Sequence, residues 1–331
     1  MPLPSTLSSP SAQPALLGLA AVGGLYLSLK VLSFFRLLAS LFLLPGDSLY
    51  KFGPKGSWAV ITGASDGIGK EYALQIAAKG FNVVLVSRTA SKLEALATEI
   101  RAKTGVQVLT HAMDFSSPDT APYDKLAQLT APLDISLLIN NVGQSHSYPE
   151  YFINTPKSEI DDIITINCLG TVRVTRMIAP LMAARKRGLI LTMASFGGVL
   201  PTPLLATYSG SKAFLQHWAV ALGAELAPHG VSVQVVQSHL VASAMSKIRR
   251  ASAMVPTPKT FVRSALGKIG RSGGSQGVPF TVTPYWAHAL LLWGIQLLGV
   301  WSGFVLQRNL VMHETIRKRA LKKAERDAKK Q

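Results

Sequence analysis

A single cysteine, Cys168, occurs in 331 residues, which excludes an internal disulfide and suits a chain facing a reducing compartment. No Cys/His group has the spacing of a zinc site, so no metal is expected. Acidic residues are few as well: 17 Asp and Glu stand against 34 Lys and Arg, for a net charge of +17. Charged residues make up only 15% of the chain and hydrophobic ones 48%, too apolar a balance for a fully soluble protein of this size. Membrane-associated segments are therefore expected.

The positive charge is unevenly placed. Seven basic residues and no acidic one lie in 247–271, and nine basic against three acidic in 308–331, so these stretches supply 13 of the 17 net charges. No nucleic-acid-binding motif accompanies them, and no nucleic-acid partner is expected. Apolar segments do accompany them, which favours anionic lipid headgroups and a phosphate-bearing substrate.

Residues 1–14 are rich in Ser and Pro and are expected to be disordered. Residues 15–44 are apolar, interrupted by Lys30 and Arg36. As a helix they would extend ~45 Å at ~1.5 Å per residue, enough for a ~30 Å hydrocarbon core. The length of the run and the lack of a basic start favour a retained membrane anchor over a cleaved signal peptide. Lys51 and Lys55 follow it, so the positive-inside bias places the remainder in the cytosol.

A strand is predicted at 57–62, running into T-G-A-S-D-G-I-G with Gly63, Gly67 and Gly69, and then a helix over 68–79. Strand, glycine turn and helix together make a phosphate-binding turn: the glycines admit a pyrophosphate, and the helix start offers free N–H groups. A second strand at 82–87 ends at Arg88. No acid stands there to take a ribose 2′-hydroxyl, and an arginine suits a 2′-phosphate, which favours NADPH over NADH. A third strand at 106–110 precedes Asp114, placed to meet an adenine amino group. Further strands at 133–140, 188–194 and 231–237 alternate with helices at 91–103, 156–184 and 207–227. That alternation predicts an α/β, doubly wound parallel sheet of Rossmann type.

Residues 195–212 read S-F-G-G-V-L-P-T-P-L-L-A-T-Y-S-G-S-K. Gly197, Gly198, Pro201 and Pro203 forbid a regular element after Ser195. A helix opening at Thr207 puts Tyr208 and Lys212 on one face, one turn apart. A lysine there lowers the cost of phenolate at a tyrosine whose pKa is otherwise ~10. Carbonyl reduction needs such a proton donor and a hydroxyl on the same oxygen, roles that Tyr208 and Ser195 can share.

These motifs, with N-N-x-G at 140–143 and Asn167, resemble the short-chain dehydrogenase/reductase family in order and spacing over about residues 55–240. The resemblance implies nicotinamide chemistry with Tyr208 as general acid, Lys212 lowering its pKa and holding the ribose, Ser195 orienting the carbonyl and Asn167 supporting a proton relay. It implies cofactor contacts at Gly63, Ser65, Asp66, Gly67, Ile68, Gly69, Arg88, Asp114 and Asn141, besides Tyr208 and Lys212. One departure follows the sixth strand. Where most of the family has Pro-Gly, this chain has Q-S-H-L-V-A-S-A-M at 237–245, and His239 reads as a pocket-lining or packed histidine.

The S-A-M-S-K-I-R-R and P-x-P-K-x-F-V segments, the anchor and the basic tail resemble a narrower branch, the microsomal very-long-chain 3-oxoacyl-CoA reductases of fatty-acid elongation. Within 238–270, Met245, Ile248, Met254, Val255, Phe261, Val262, Leu266 and Ile269 offer apolar surface for an acyl chain. Lys247, Arg249 and Arg250 can meet coenzyme A phosphates or lipid headgroups, as can Arg263. Residues 271–277 read as a Ser/Gly-rich linker. Residues 285–306 carry no formal charge and are expected to be membrane-embedded without crossing, with His288 and three tryptophans at the interface. The tail from 314 onward reads as a solvated basic helix, and its last residues as an incomplete dilysine signal.

The expected organisation is a disordered start (1–14), an anchor (15–44), a catalytic domain (53–240), a substrate-side insertion and linker (241–280), and a membrane-embedded helix with basic tail (281–331). The expected function is NADPH-dependent reduction of 3-oxoacyl-CoA at the endoplasmic reticulum membrane, facing the cytosol beside other enzymes of the elongation cycle. A steroid or retinoid dehydrogenase on the same scaffold is the alternative. A catalytically silent membrane scaffold is disfavoured by the complete set Asn167, Ser195, Tyr208 and Lys212.

Overall fold

A computed structural model describes residues 13–329. The expectation of disorder for the N-terminal stretch lies outside the described residues up to position 12, and Gln13 and Pro14 already belong to a helix. Of the incomplete dilysine signal read at the end of the chain, the last two residues also lie outside the described ones. Two compact units divide at Leu44. The first is α1 (Gln13–Leu38), continued by a π-turn (Ala39–Leu43). Among the described residues this is the one helix, Gln13–Leu43, that is long and apolar enough to cross a membrane, and its most apolar window is exposed.

The second unit alternates strands and helices: β1 (Trp58–Thr62), α2 (Gly67–Ala77), β2 (Asn82–Ser87), α3 (Ala90–Thr104), β3 (Val108–Ala112), α4 (Ala121–Thr130) and β4 (Ile135–Asn140). It continues with α5 (Lys157–Ile164), α6 (Thr171–Ala184), β5 (Gly188–Met193), α7 (Ala206–Leu226) and β6 (Val231–Val236). It closes with α8 (Pro258–Leu266), β7 (Thr281–Val282), α9 (Trp286–Leu298) and α10 (Gly303–Ala328). The strands form one parallel sheet in the order β3-β2-β1-β4-β5-β6-β7. Their continuous runs of Val, Ile and Leu reflect helices covering both faces. Ala59, Ile61, Val83, Leu85, Leu137 and Ile139 pack toward α2, α3 and α8. Trp58, Val60, Val84, Val86, Leu138 and Ile190 pack toward α4 and α6. Truncating a side chain such as Ile61, which has no exposed surface, would cost about 2–5 kcal/mol.

The expected sheet is present with one strand more. β7 is two residues long, paired with β6 at Val235↔Thr281 and Val236↔Val282. The single helix expected over 156–184 is instead α5 and α6 joined by a π-turn, Thr165–Gly170, which carries Asn167. The supposed linker at 271–277 is built into the sheet edge. Ser275 is buried and donates to Gln237 Oε1 (2.9 Å), Gln237 donates to Gln216 Oε1 (2.8 Å), and Gln216 donates to Thr281 Oγ1 (2.8 Å). Satisfied polar groups at depth hold such a segment in place.

The apolar run 285–306 is two helices rather than one. α9 has 13 residues, ~20 Å of helix and short of a ~30 Å core. Gly299, at φ +83°, ends it, and Ser302 caps α10 by accepting from Val305 N–H (3.3 Å). His288 is fully buried rather than interfacial. Trp301 is 79% exposed and Phe304 64%, with Leu297 and Leu298 also outward. α10 is not a freely solvated tail either. Asn309 donates to Pro201 O (2.9 Å), Tyr151 donates to Glu314 (2.9 Å), and Arg317 pairs with Glu150.

Candidate active site

Strand order reverses between β1 and β4, and the crevice at their C-terminal ends is where a doubly wound sheet binds ligands. The chain leaves β1 at Gly63, φ +64°, where a Cβ would lie 2.9 Å from Val142 Cα. A Cβ on Gly69 would lie 2.2 Å from Gly63 O, so α2 can rise this close to the strand only with glycine there. Asp66 caps α2 through Gly67 N–H (2.7 Å). Gly67, φ +55°, has open space before it apart from Ser243 Cβ at 3.6 Å, leaving room for a ligand against the backbone. Asn141 is a latch as well as a wall. Its Nδ2 donates to Thr62 O (3.0 Å) and Gly63 O (3.2 Å), tying the end of β4 to that of β1.

A cleft of about 430 Å³ opens here, lined by Gly63, Ser65, Asp66, Gly67, Ile68, Arg88, Asp114, Asn141, Tyr208 and Lys212 among others. All the expected cofactor positions except Gly69 line it, and Gly69 shapes the turn from behind. Arg88 is mostly solvent-facing, with Nη1 4.0 Å from Asp114 Oδ2. Burial opposes ionisation of Asp114, but hydrogen bonds from Ser116 and the charge of Arg88 hold its carboxyl below the usual range. Ser65 and Ser87 hydroxyls bond each other beside it (2.8 Å). The helix start, the open face of Gly67 and the solvent-facing guanidinium of Arg88 past β2 fit a dinucleotide with a 2′-phosphate.

Tyr208 and Lys212 sit on the first turns of α7, Ser195 just past β5, and Asn167 in the π-turn, and all four meet around Gly143 and Tyr208. Lys212 is buried, donates to Met193 O (2.9 Å), and has its pKa lowered to about 8 by burial. Burial pushes the Tyr208 phenol upward, with the Ser195 hydroxyl pulling the other way. The Lys212 ammonium donates to Met193 O and lies over the Tyr208 ring, 5.9 Å from its centroid. A protonated phenol is the form a proton donor requires. Asn167 Oδ1 accepts from Gln144 N–H (2.7 Å), and its Nδ2 donates to Gln144 O (2.9 Å) and Ser211 Oγ (2.8 Å). Ser211 donates in turn to Tyr208 O (2.7 Å), so the asparagine and the tyrosine share one chain of bonds. Gln144, Ser211 and Met193 were not anticipated, since their part is played by backbone groups or by contacts distant in sequence.

A second cleft, of about 240 Å³, meets the first at Tyr208, Ile68, Ser238, Ser243 and Met245, which line both. Ser195 and His239 lie on its wall, and α10 supplies Asn309, Met312, His313 and Ile316. Of the apolar residues expected to receive an acyl chain, only Met245 reaches it. Phe261, Val262, Leu266 and Ile269 are core residues, because the apolar face of α8 packs against α2 and the sheet. Lys247, Arg249 and Arg250 are exposed and line neither cleft, and Lys247 Nζ donates to Ser147 O.

The family profile described as short chain dehydrogenase matches residues 57–253. This chain belongs to the short-chain dehydrogenase family. Within it, the chain is 60% identical over 322 residues to the very-long-chain 3-oxoacyl-CoA reductase of Pyrenophora tritici-repentis, covering 96% of this chain and 94% of that protein. It is 61% identical over 312 residues to the protein of the same name from Coccidioides immitis, covering 94% and 89%. Among solved structures, a short-chain dehydrogenase from Sphingobium yanoikuyae in complex with NADPH superposes with a TM-score of 0.58 at 31% identity, covering 63% of this chain and 83% of that one.

Proposed function

We propose that this short-chain dehydrogenase reduces the 3-keto group of long- and very-long-chain 3-oxoacyl-CoA to the 3-hydroxy group, using NADPH, within fatty-acid elongation. The observation that carries the reading is the junction of the two clefts at Tyr208: one of mixed polar and apolar lining that fits a dinucleotide, and a more apolar one roofed by α10. Near-full-length identity to proteins named for that reaction supports the substrate class. When bound, NADPH would supply the hydride that C3 needs. Tyr208 gives its phenolic proton to the keto oxygen, and Ser195 hydrogen-bonds the same oxygen, stabilising charge as it develops. Lys212, still protonated at neutral pH, holds positive charge beneath Tyr208. Asn167 keeps Gln144 and the Tyr208 turn in register through Ser211. Lys247, Arg249 and Arg250 take the coenzyme A phosphates at the exposed rim.

In the same reading, α1 anchors the protein in the endoplasmic reticulum membrane with the catalytic unit in the cytosol. Leu297, Leu298, Trp301 and Phe304, exposed at the α9–α10 turn, rest in the bilayer interface beside other elongation enzymes. The test is a screen of purified protein with NADPH, comparing 3-oxoacyl-CoA esters with keto-steroids. Preference for a keto-steroid would defeat the proposal.

A further inference from the structure

A 3-oxoacyl thioester brings two carbonyls into the site, the reacting ketone at C3 and the thioester carbonyl at C1. The second cleft is walled mainly by apolar side chains such as Phe196, Leu200, Leu205 and Met312. A carbonyl buried there without a donor would forfeit its hydrogen bonds to water. Ser195 and Tyr208 are engaged with the ketone. A further polar group on the same wall is His239; its Nδ1 has no accessible surface and no hydrogen-bond partner among the described residues, which leaves Nε2 as the ring nitrogen open to a ligand.

The ring of His239 is held in place by its neighbours. It packs edge-on against Phe196, the residue after Ser195, with centroids 5.3 Å apart, and against His288 at 5.7 Å. Its backbone N–H donates to His288 Nδ1 (3.3 Å). His288 can accept there only with its proton on Nε2, which then donates to Met254 O (3.1 Å). His288 is thus spent on structure, clamping the β6 exit to the 254 loop. On the facing helix His313 uses Nδ1 to donate to Asn309 O (2.9 Å). Burial, and His313 opposite, push the His239 pKa below its ordinary value, so the ring is a neutral imidazole carrying one N–H.

We infer that His239 is a specificity-determining residue that donates a hydrogen bond to the C1 thioester carbonyl while C3 lies at Tyr208 and Ser195. It rests on the 3-oxoacyl-CoA reading. Such a donor would select β-keto thioesters over plain ketones on a scaffold whose proton-transfer groups alone would accept either. It would also fix the chain along the cleft, since only one spacing from C3 meets both groups.

The test pairs a variant with a substrate change. His239→Phe keeps the ring stacking and removes the donor. The substrates are a 3-oxoacyl-CoA and the matching CoA thioether, in which a methylene replaces the C1 carbonyl. The phenylalanine variant is expected to lower kcat/KM for the thioester about tenfold and to leave the thioether unchanged, with His239→Asn recovering part of the loss. Equal loss on both substrates, or on neither, would overturn the assignment, as would a selective loss on His313→Phe in place of His239→Phe. Should the phenylalanine variant not fold, the wild-type protein still decides. With NADP⁺ and 3-oxoacyl-CoA labelled with ¹³C at C1, the bound thioester stretch should fall in frequency, and an unshifted band would refute the bond. Absence of any wild-type turnover of 3-oxoacyl-CoA would instead remove the proposed function, and this inference with it.

Discussion

Arg317 on α10 and Glu150, ahead of the Phe152–Asn154 turn, make a two-pronged ion pair across 167 positions of sequence, Nε to Oε1 at 2.8 Å and Nη2 to Oε2 at 2.9 Å. It fastens α10 over the second cleft. The arginine holds the Glu150 carboxyl below the usual carboxylate range. This contribution is full above the ordinary carboxylate pKa of ~4.3 and is lost as pH falls through the lowered one. Arg317→Ala should therefore loosen the roof, raising KM for long-chain 3-oxoacyl-CoA several-fold while NADPH affinity, read by fluorescence titration, holds. An unchanged KM would show that α10 does not shape the cleft.

Tyr208→Phe removes only the proton donor. Turnover should fall by about 10²–10⁴-fold, the usual scale of general-acid catalysis, with NADPH binding nearly intact. Activity within a few-fold of wild type would end the assignment of Tyr208.

Arg88→Asp replaces a cation beside the 2′-phosphate position with an anion. The ratio of kcat/KM for NADPH to that for NADH should drop, through loss of one and relief of the other. An unaltered ratio would mean that Arg88 does not read the phosphate.

Lys212 titrates at about 8 in the free protein because burial disfavours its charge, while the Tyr208 phenol is displaced upward from its ordinary value. The alkaline fall in kcat/KM should accordingly begin near pH 8 and report loss of the lysine proton. Between about 8 and the ordinary 10.5 the folded protein binds fewer protons at this group than the unfolded chain, so its contribution to stability rises with pH there. A profile flat to pH 10 would exclude Lys212 as the titrating group.

What was legible in the sequence is what local chemistry dictates. The turn at 62–69 announces itself because glycine must stand where Gly63 turns and where Gly69 passes Gly63 O. Tyr208 and Lys212 become readable when their helical spacing is joined to the glycine turn at 62–69, Asn167 and Ser195. What was hidden depends on distant partners. β7 has two residues and exists because β6 leaves an edge and Gln216 reaches Thr281. His288 looked like a polar interruption in a membrane segment, and hydropathy cannot tell that from a histidine bonded to Met254 and His239. Phe261 and Val262 read as acyl-chain surface because they are apolar residues of the insertion after β6, yet the amphipathic pattern of α8 turns them to the core.

The π-turn at Thr165–Gly170 gives the helix from 157 to 184 two phases. Each α-helical residue advances about 100°, so one surplus residue rotates everything before it by that angle against everything after. One phase buries Ile163, the other buries Val174 and Ile178, and Asn167 sits on the seam. Its carboxamide is aimed by this offset rather than by a loop. The site should fail on deletion of one residue within 165–170, since a relaxed, continuous α-helix cannot keep both apolar faces inward and Asn167 on Gln144 and Ser211.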